Sequence, residues 1–442
     1  MKTARKISSV LGLLTFLVLL AATAVWFLNT RGETDVHVPA TTAVADPGQV
    51  QRGAYLARAG NCITCHTTIG GGRYAGGLGI ETPFGTVFTS NLTPDEKTGL
   101  GTWSPAHFWR AMHNGRSKDG HLLYPAFPYT NYTQVTREDS DALFAFLKSV
   151  PPVQQANLPN TLRFPYNTQA ALAVWRALYF SPGTYEADAS RSAEWNRGAY
   201  LVGGLGHCSA CHTARNAMGA TAGPALGGGL IPVQNWYAPS LTLTTEAGMS
   251  DWEPQAIVSL LKTGVTPHAA IGGPMRDVVQ DGTQYLNNED LMAMARYLKE
   301  LTPGVTTGRD ETDISVMGTL PVVTAIKVGS AVAEKGAKIY EQSCAQCHGD
   351  KGQGVPNAYP ALAGNRAVLM PRAVNLVQIV LNGGFAPTTE GNPRPFGMPP
   401  FVLVLDDNDV ASVLTHIRGA WGNQASAVSP LEVNRIRAGS GK

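Results

Sequence analysis

Charge is scarce in this chain. Asp, Glu, Lys and Arg make up 15% of its 442 residues, against roughly 25% in ordinary soluble domains. The two signs nearly cancel, leaving a formal net charge of +2, which gives no support to nucleic-acid binding. With 44% hydrophobic residues, so little charge points to surface that is buried against something else. The sequence has no G-x-G-x-x-G at a strand-to-helix junction. Phosphate-binding, Ser-His-Asp and paired-carboxylate constellations are not identifiable either, so no substrate-converting centre can be read from it. A second long apolar run is also missing, which excludes a multi-span membrane protein. No cysteine is spare: all six fall into CxxC pairs. What is plentiful is glycine (48) and proline (29), a composition of loop-rich domains. The length suggests about three of them.

The one long apolar run, from about Val10 to Leu28, lies near the N-terminus behind Lys2, Arg5 and Lys6. It is close to the ~20 residues that span the hydrocarbon core of a bilayer. A cleaved signal has a shorter core, roughly 7–15 residues, and ends at small residues. Here the flank is Trp26-Phe27-Leu28-Asn29. Residues 1–30 are therefore expected to form an uncleaved anchor, with a cleaved signal as the alternative. The basic end should stay inside, so either reading exports the rest of the chain.

The cysteines form three motifs, CITCH (62–66), CSACH (208–212) and CAQCH (344–348), a domain's length apart. Their flanks repeat as RGAYLARAGNCITCH (52–66), RGAYLVGGLGHCSACH (197–212) and KGAKIYEQSCAQCH (335–348). Each motif is followed by a Gly/Pro-rich loop and then a helix pattern: 103–115, 252–264 and a weaker 375–384. A last helix, with acidic residues in its first turn, is expected at 136–150, 287–301 and 406–419. Such units have no sheet to organise them, so something else must fill their centres. CxxCH is the attachment signature of c-type haem. On this reading Cys62, Cys65, Cys208, Cys211, Cys344 and Cys347 carry three covalently bound haem c groups as thioethers, and His66, His212 and His348 are the proximal iron ligands. Disulfides, redox dithiols or zinc knuckles would not require an adjacent histidine three times over.

The other axial ligand in electron-transfer cytochromes is commonly methionine. It is expected between the second and last helix of each unit, where Met275 and Met398 lie. The first unit has Phe127, in YPAFPY (124–129), at that place. Met112, His113, His121, a residue further away and no protein ligand at all stay open there, with Met112 the first choice. Backbone carbonyls of Pro83, Pro239 and Pro360 are candidates to orient the proximal histidines. His37, His107, His207, His268 and His416 read as surface or structural residues.

RGAYLARAGNCITCHT, FGTVFTSNLTPDEKTGLGTW, LLYPAFPYTNYT, GHCSACHTARNAMGA and CAQCHGDKGQGVPNAYPALAGN resemble the tri-haem cytochrome c subunit of bacterial membrane-bound alcohol, gluconate and fructose dehydrogenases. The resemblance covers roughly residues 48–422. It implies a mostly α fold with three tandem class-I cytochrome c domains and loop-rich haem pockets, behind one N-terminal transmembrane helix. The expected layout is an anchor or signal (1–30), domain 1 (48–150), a linker with a helix (151–190), domain 2 (191–303), a linker (304–327), domain 3 (328–422) and a tail (423–442). The resemblance also implies electron transfer. A separate flavo-, quino- or molybdoprotein dehydrogenase subunit would be the donor, and ubiquinone or another acceptor would be reached at the periplasmic face of the inner membrane. That family often has YPAMPY, so Phe127 is a departure, and its distal ligand does not carry over. A free-standing shuttle to a terminal oxidase or reductase is the alternative, and a haem peroxidase is a third reading whose only motive is Phe127. TQAALAVWRALYF (168–180) is expected as an amphipathic helix, packed on a haem domain or docking a partner.

Overall fold

The computed structural model describes residues 2–31, 33, 36, 46–301, 330–356 and 358–439. His37 and the expected linker at 304–327 lie outside these residues. The chain divides into two compact units, Met1–Gly53 with Gly70–Tyr185, and Ala54–Ile69 with Glu186–Lys442.

The first unit begins with α1 (Lys2–Thr30). Among the described residues it is the one helix long and apolar enough to cross a membrane. The first part of α2 (Pro47–Ala59) follows. Next come α3 (Pro105–Asn114), α4 (Arg137–Ser149) and α5 (Gln169–Tyr179). Their ends are set by local chemistry. Ser104 and His107 form a reciprocal capping box at the start of α3, and Gly115, with φ 57°, stops it. The hydroxyl of Thr136 accepts the Asp139 N–H at the start of α4. Leu143, Phe144 and Leu147 of α4 and Phe108 and Met112 of α3 are buried, and the Phe108 and Phe144 rings pack with centroids 5.5 Å apart.

The second unit holds α6 (Ala193–Tyr200), α7 (Pro254–Thr263), α8 (Asn288–Lys299), α9 (Ser330–Ser343), α10 (Val374–Asn382), α11 (Asp407–Gly419) and α12 (Pro430–Gly439). Residues 423–442, expected as a tail, thus contain a helix. Val433 and Ile436 of α12 are buried, and Asp407 of α11 receives hydrogen bonds from Asn434 and Arg437.

The loops, expected to be free of strands, carry short antiparallel ladders. Strands 79–82, 85–88 and 161–162 form one three-stranded sheet in the first unit. Among its described residues the second unit has two-stranded ladders, such as 229–231 with 236–238. Strands of two to four residues show no usable alternation, which is why the sequence pattern does not reveal them.

One helix crossing recurs three times. A Cβ on Gly53 of α2 would strike the Ala142 carbonyl of α4 and stand 2.8 Å from Phe146 Cβ. A Cβ on Gly198 of α6 would strike the Ala293 carbonyl of α8, 2.9 Å from Tyr297 Cβ. A Cβ on Gly336 of α9 would strike the Ser412 carbonyl of α11, 2.9 Å from His416 Cβ. Only glycine lets the backbones approach this closely. The residue before each glycine is a cation, and it pairs with an aspartate in the first turn of the partner helix. The pairs are Arg52–Asp139 at 2.5 Å, Arg197–Asp290 at 2.7 Å and Lys335–Asp409 at 2.8 Å. Between this crossing and the cysteines the second copy is one residue longer than the first. A π-helical turn at Leu201–Leu205 absorbs the extra residue.

Candidate haem-attachment sites

Each C-x-x-C-H stretch follows its crossing helix and winds into a single helical turn. The amide of His66 donates to Cys62 O at 3.1 Å, that of His212 to Cys208 O at 2.9 Å, and that of His348 to Cys344 O at 2.9 Å. One turn brings residues three apart onto one side and sets the histidine beside the second cysteine. Asn61 (φ 49°) and His207 (φ 38°) take left-handed backbone just before the first two motifs, turning the chain sharply out of its helix. All six cysteines are free of disulfides. Removal from solvent pushes the thiols of Cys62 and Cys208 up to about 12 and that of Cys344 to about 11. Burial thus favours the neutral thiol over the thiolate at each of these three positions.

The histidines expected as proximal ligands test whether the residues fit a haem. His212 Nδ1 lies 2.6 Å from the carbonyl of Pro239, and His348 Nδ1 lies 2.9 Å from that of Pro360. A carbonyl only accepts, so each Nδ1 carries the proton and each Nε2 keeps a free lone pair for a metal. Burial holds both rings below their ordinary pKa, which favours the neutral, ligating form. These residues fit an attached haem c. Pro83, the third proline expected in this role, offers its carbonyl to the Arg163 guanidinium.

The expected distal methionines occupy different settings. Met398 sits in a two-residue strand paired with Gly384–Phe385. It packs, with Cys344 and Ala345, on the buried cluster of Val377, Leu381, Val410 and Leu414. Gly383, at φ 65°, lets the Met398 backbone press onto the end of α10. Met275 opens a short helix, Met275–Asp281, two residues after Gly273, whose φ of 58° lets the chain pass over the Trp236 ring.

In the first unit Phe127 joins an aromatic group, with ring centroids 5.3 Å from Tyr132 and 6.5 Å from Tyr129. Met112 is buried on α3. His113 is buried too, stacked on Trp109 at 4.5 Å, with Nδ1 2.8 Å from the Thr133 carbonyl. His121 is half exposed and pairs with Asp119 at 2.5 Å. His107 belongs to the α3 cap, and His416 to the glycine crossing on Gly336.

The first and second attachment turns lie side by side within the second unit. The Cys65 thiol is raised by burial and then by neighbouring Cys211. A Cβ on Gly60 would contact Cys62 Sγ and Leu205 Cδ2, both at 3.4 Å. The Cys62–Cys65 turn also packs on the helix that Met275 opens, where Thr64 Oγ1 donates to Asp281 Oδ2 at 3.3 Å. Arg58 lies 4.2 Å over the Tyr285 ring, and Tyr55 donates to Asp290 at 2.7 Å. No motif announces this adjacency. The glycine crossings, by contrast, were visible as the repeated R-G-A, R-G-A and K-G-A, but reading them as contacts required the partner helices.

The cytochrome c family model matches residues 50–151 and 333–421. Over 408 residues the chain is 38% identical to the cytochrome c subunit of the quinone alcohol dehydrogenase of Gluconacetobacter polyoxogenes, covering 90% of this chain and 86% of that protein. It is 38% identical to the gluconate 2-dehydrogenase cytochrome c subunit of Pantoea cypripedii, with 89% and 90% covered. It is 32% identical to the fructose dehydrogenase cytochrome subunit of Gluconobacter japonicus, with 96% and 88% covered. The chain belongs to the family of cytochrome c subunits found in alcohol, gluconate and fructose dehydrogenases.

Proposed function

We propose that this protein is a tri-haem, membrane-tethered electron carrier. It takes electrons from the catalytic subunit of a dehydrogenase and delivers them to ubiquinone or another respiratory acceptor on the periplasmic side of the inner membrane. The observation that carries the number three is the recurrence of one frame: a glycine crossing, a cation–aspartate pair and a C-x-x-C-H turn. The frame supports three tandem class-I domains, at about 48–150, 191–303 and 328–422.

The roles of the residues follow from their chemistry. Cys62 and Cys65, Cys208 and Cys211, and Cys344 and Cys347 each supply a pair of sulfurs for thioether attachment. His66, His212 and His348 are the proximal ligands, with Pro239 and Pro360 orienting the last two. Met275 and Met398 are the distal ligands of the second and third sites, and Met112 is assigned to the first. A bound haem supplies reversible one-electron iron chemistry, and the protein tunes it through ligands and burial.

The experiment is to purify the protein from native membranes, count haem by pyridine haemochrome and identify what co-purifies. Three haems per chain and a stoichiometric dehydrogenase subunit are expected. Two or fewer haems would overturn the tri-haem assignment. Oxidation of sugars or alcohols by the isolated chain would overturn the carrier role, and a chain recovered without any dehydrogenase would favour the free-standing shuttle.

A further inference from the structure

Helix α5 buries Leu172 and Trp175 beside its one arginine, yet it also carries an apolar stripe on its outer face. Its sequence, QAALAVWRALY, contains one charge, Arg176, and that residue is 3% exposed. Ala170, Val174 and Leu178, spaced four apart, form an outward stripe; Val174 is 48% and Leu178 67% exposed. Phe164, just before the helix, is 81% exposed. A helix on an aqueous surface turns its charge out and its apolar stripe in.

The buried side of α5 explains where the helix sits. Arg176 Nε donates to Asn29 Oδ1 at 2.9 Å, and Nη1 donates to the carbonyls of Asn114 and Gly115. Asn29 lies in the last turn of α1, and its amide donates to Ala173 O of α5 at 2.8 Å. Next to it Arg31 donates to Ser181 Oγ at 2.8 Å. Arg116 reaches Asn29 O at 3.1 Å and pairs with Glu33 at 2.6 Å. The outer end of α1 is thus socketed into the first unit by buried polar groups. Removing α1 would strip Arg176 Nε and Arg116 Nη2 of their acceptors on Asn29, leaving part of their hydrogen bonding unmet.

Depth follows from this connection. Counting ~20 residues of hydrocarbon span from the basic N-terminus puts Asn29 at the outer boundary, and α5 is bonded at that level. We infer that α1 is retained as an anchor, and that α5 lies along the outer bilayer interface with Val174 and Leu178 in lipid. Phe164 and Tyr179 beside the stripe, with Trp26 of α1, suit the aromatic belt of such an interface. This inference rests on the membrane-tethered reading above.

The test uses the full-length holoprotein in phospholipid nanodiscs. Thioether attachment leaves no free thiol, so Val174→Cys, Leu178→Cys and, as an aqueous reference, Lys97→Cys each accept one nitroxide label. Power-saturation EPR then compares accessibility to oxygen, which concentrates in lipid, with accessibility to a water-soluble nickel chelate. Intact mass reports whether residues 1–30 are present. Expected are a retained N-terminus, a several-fold preference for oxygen at 174 and 178, and the reverse preference at 97. A retained N-terminus with nickel-accessible labels at 174 and 178 overturns the interfacial seating alone. Low accessibility to both reagents overturns it in favour of a covering protein subunit. A chain cleaved after α1 overturns the anchor itself.

Discussion

Replacing Gly198 with alanine tests the repeated helix crossing directly. In an exposed helix this change would stabilise by about 1 kcal/mol, because alanine is the better helix former. Here the new methyl group would strike the Ala293 carbonyl and stand 2.6 Å from its carbon, where ordinary contact begins at 3.4 Å. The carbonyl oxygen is nearer still, so α6 and α8 would have to part by roughly 1 Å or more. Overpacking of this kind costs roughly 1–3 kcal/mol, and more where backbone must move. The same movement stretches the Arg197–Asp290 pair, whose two hydrogen bonds are 2.7 and 2.8 Å long. Its Arg side chain is about one-third exposed, so that contribution is about 1 kcal/mol at most. The net effect is destabilisation of about 2 kcal/mol, or roughly 8–10 °C for a domain near 100 residues. The assay is thermal unfolding of the holoprotein followed by Soret circular dichroism, with transitions resolved because several domains need not melt together. Gly53→Ala and Gly336→Ala should lower their own transitions by similar amounts. A neutral or stabilising result at Gly198 would refute the close-approach argument, and unlike behaviour at the three glycines would refute the equivalence of the crossings.

Three further outcomes are expected. Phe127→Met should raise the fraction of methionine-ligated haem, seen as a stronger near-infrared charge-transfer band; no change would mean that another residue already holds the site, with Met112 the next to mutate. Met398→Ala should abolish one such band and lower one reduction potential by on the order of 0.1 V, a small part of the ~0.8 V range that axial ligands control; unchanged potentiometry would remove Met398 as a ligand. Hydrogen bonds from Asn434 and Arg437 hold the Asp407 carboxyl below its ordinary pKa. Its contribution is therefore present above the unfolded value of about 3.9 and is lost as pH falls through the folded one. Hydrogen exchange over 430–439, corrected for intrinsic rates, should show weaker protection at pH 3 than at pH 7, and equal protection would contradict the docking role of Asp407.

The attachment turns and the helices that frame them were legible because each rests on a strong local signal. CxxCH has fixed spacing, and α4, α8 and α11 have acidic first turns and apolar residues every three or four positions. α12 was missed because it offers the core only Val433 and Ile436, while Glu432, Arg435 and Arg437 make it read as a polar tail. The burial of Arg176 could not be anticipated either. Its partners, Asn29 and the carbonyls of Asn114 and Gly115, are distant in sequence, and an arginine in an apolar helix normally reads as its solvent-facing residue. Phe127 was legible as a departure, but what replaces its ligand depends on side-chain placement that no repeat specifies.

The side-by-side packing of the Cys62–Cys65 and Cys208–Cys211 turns has a dynamic consequence. Packing of Gly60 against Leu205 and of Cys65 beside Cys211, not a linker, sets the distance between the two turns. In the tri-haem reading, the step from the first cofactor to the second is then insulated from hinge motion. Changing that separation requires breaking packed side chains, so the rate across this pair should follow the stability of the fold more closely than the viscosity of the medium.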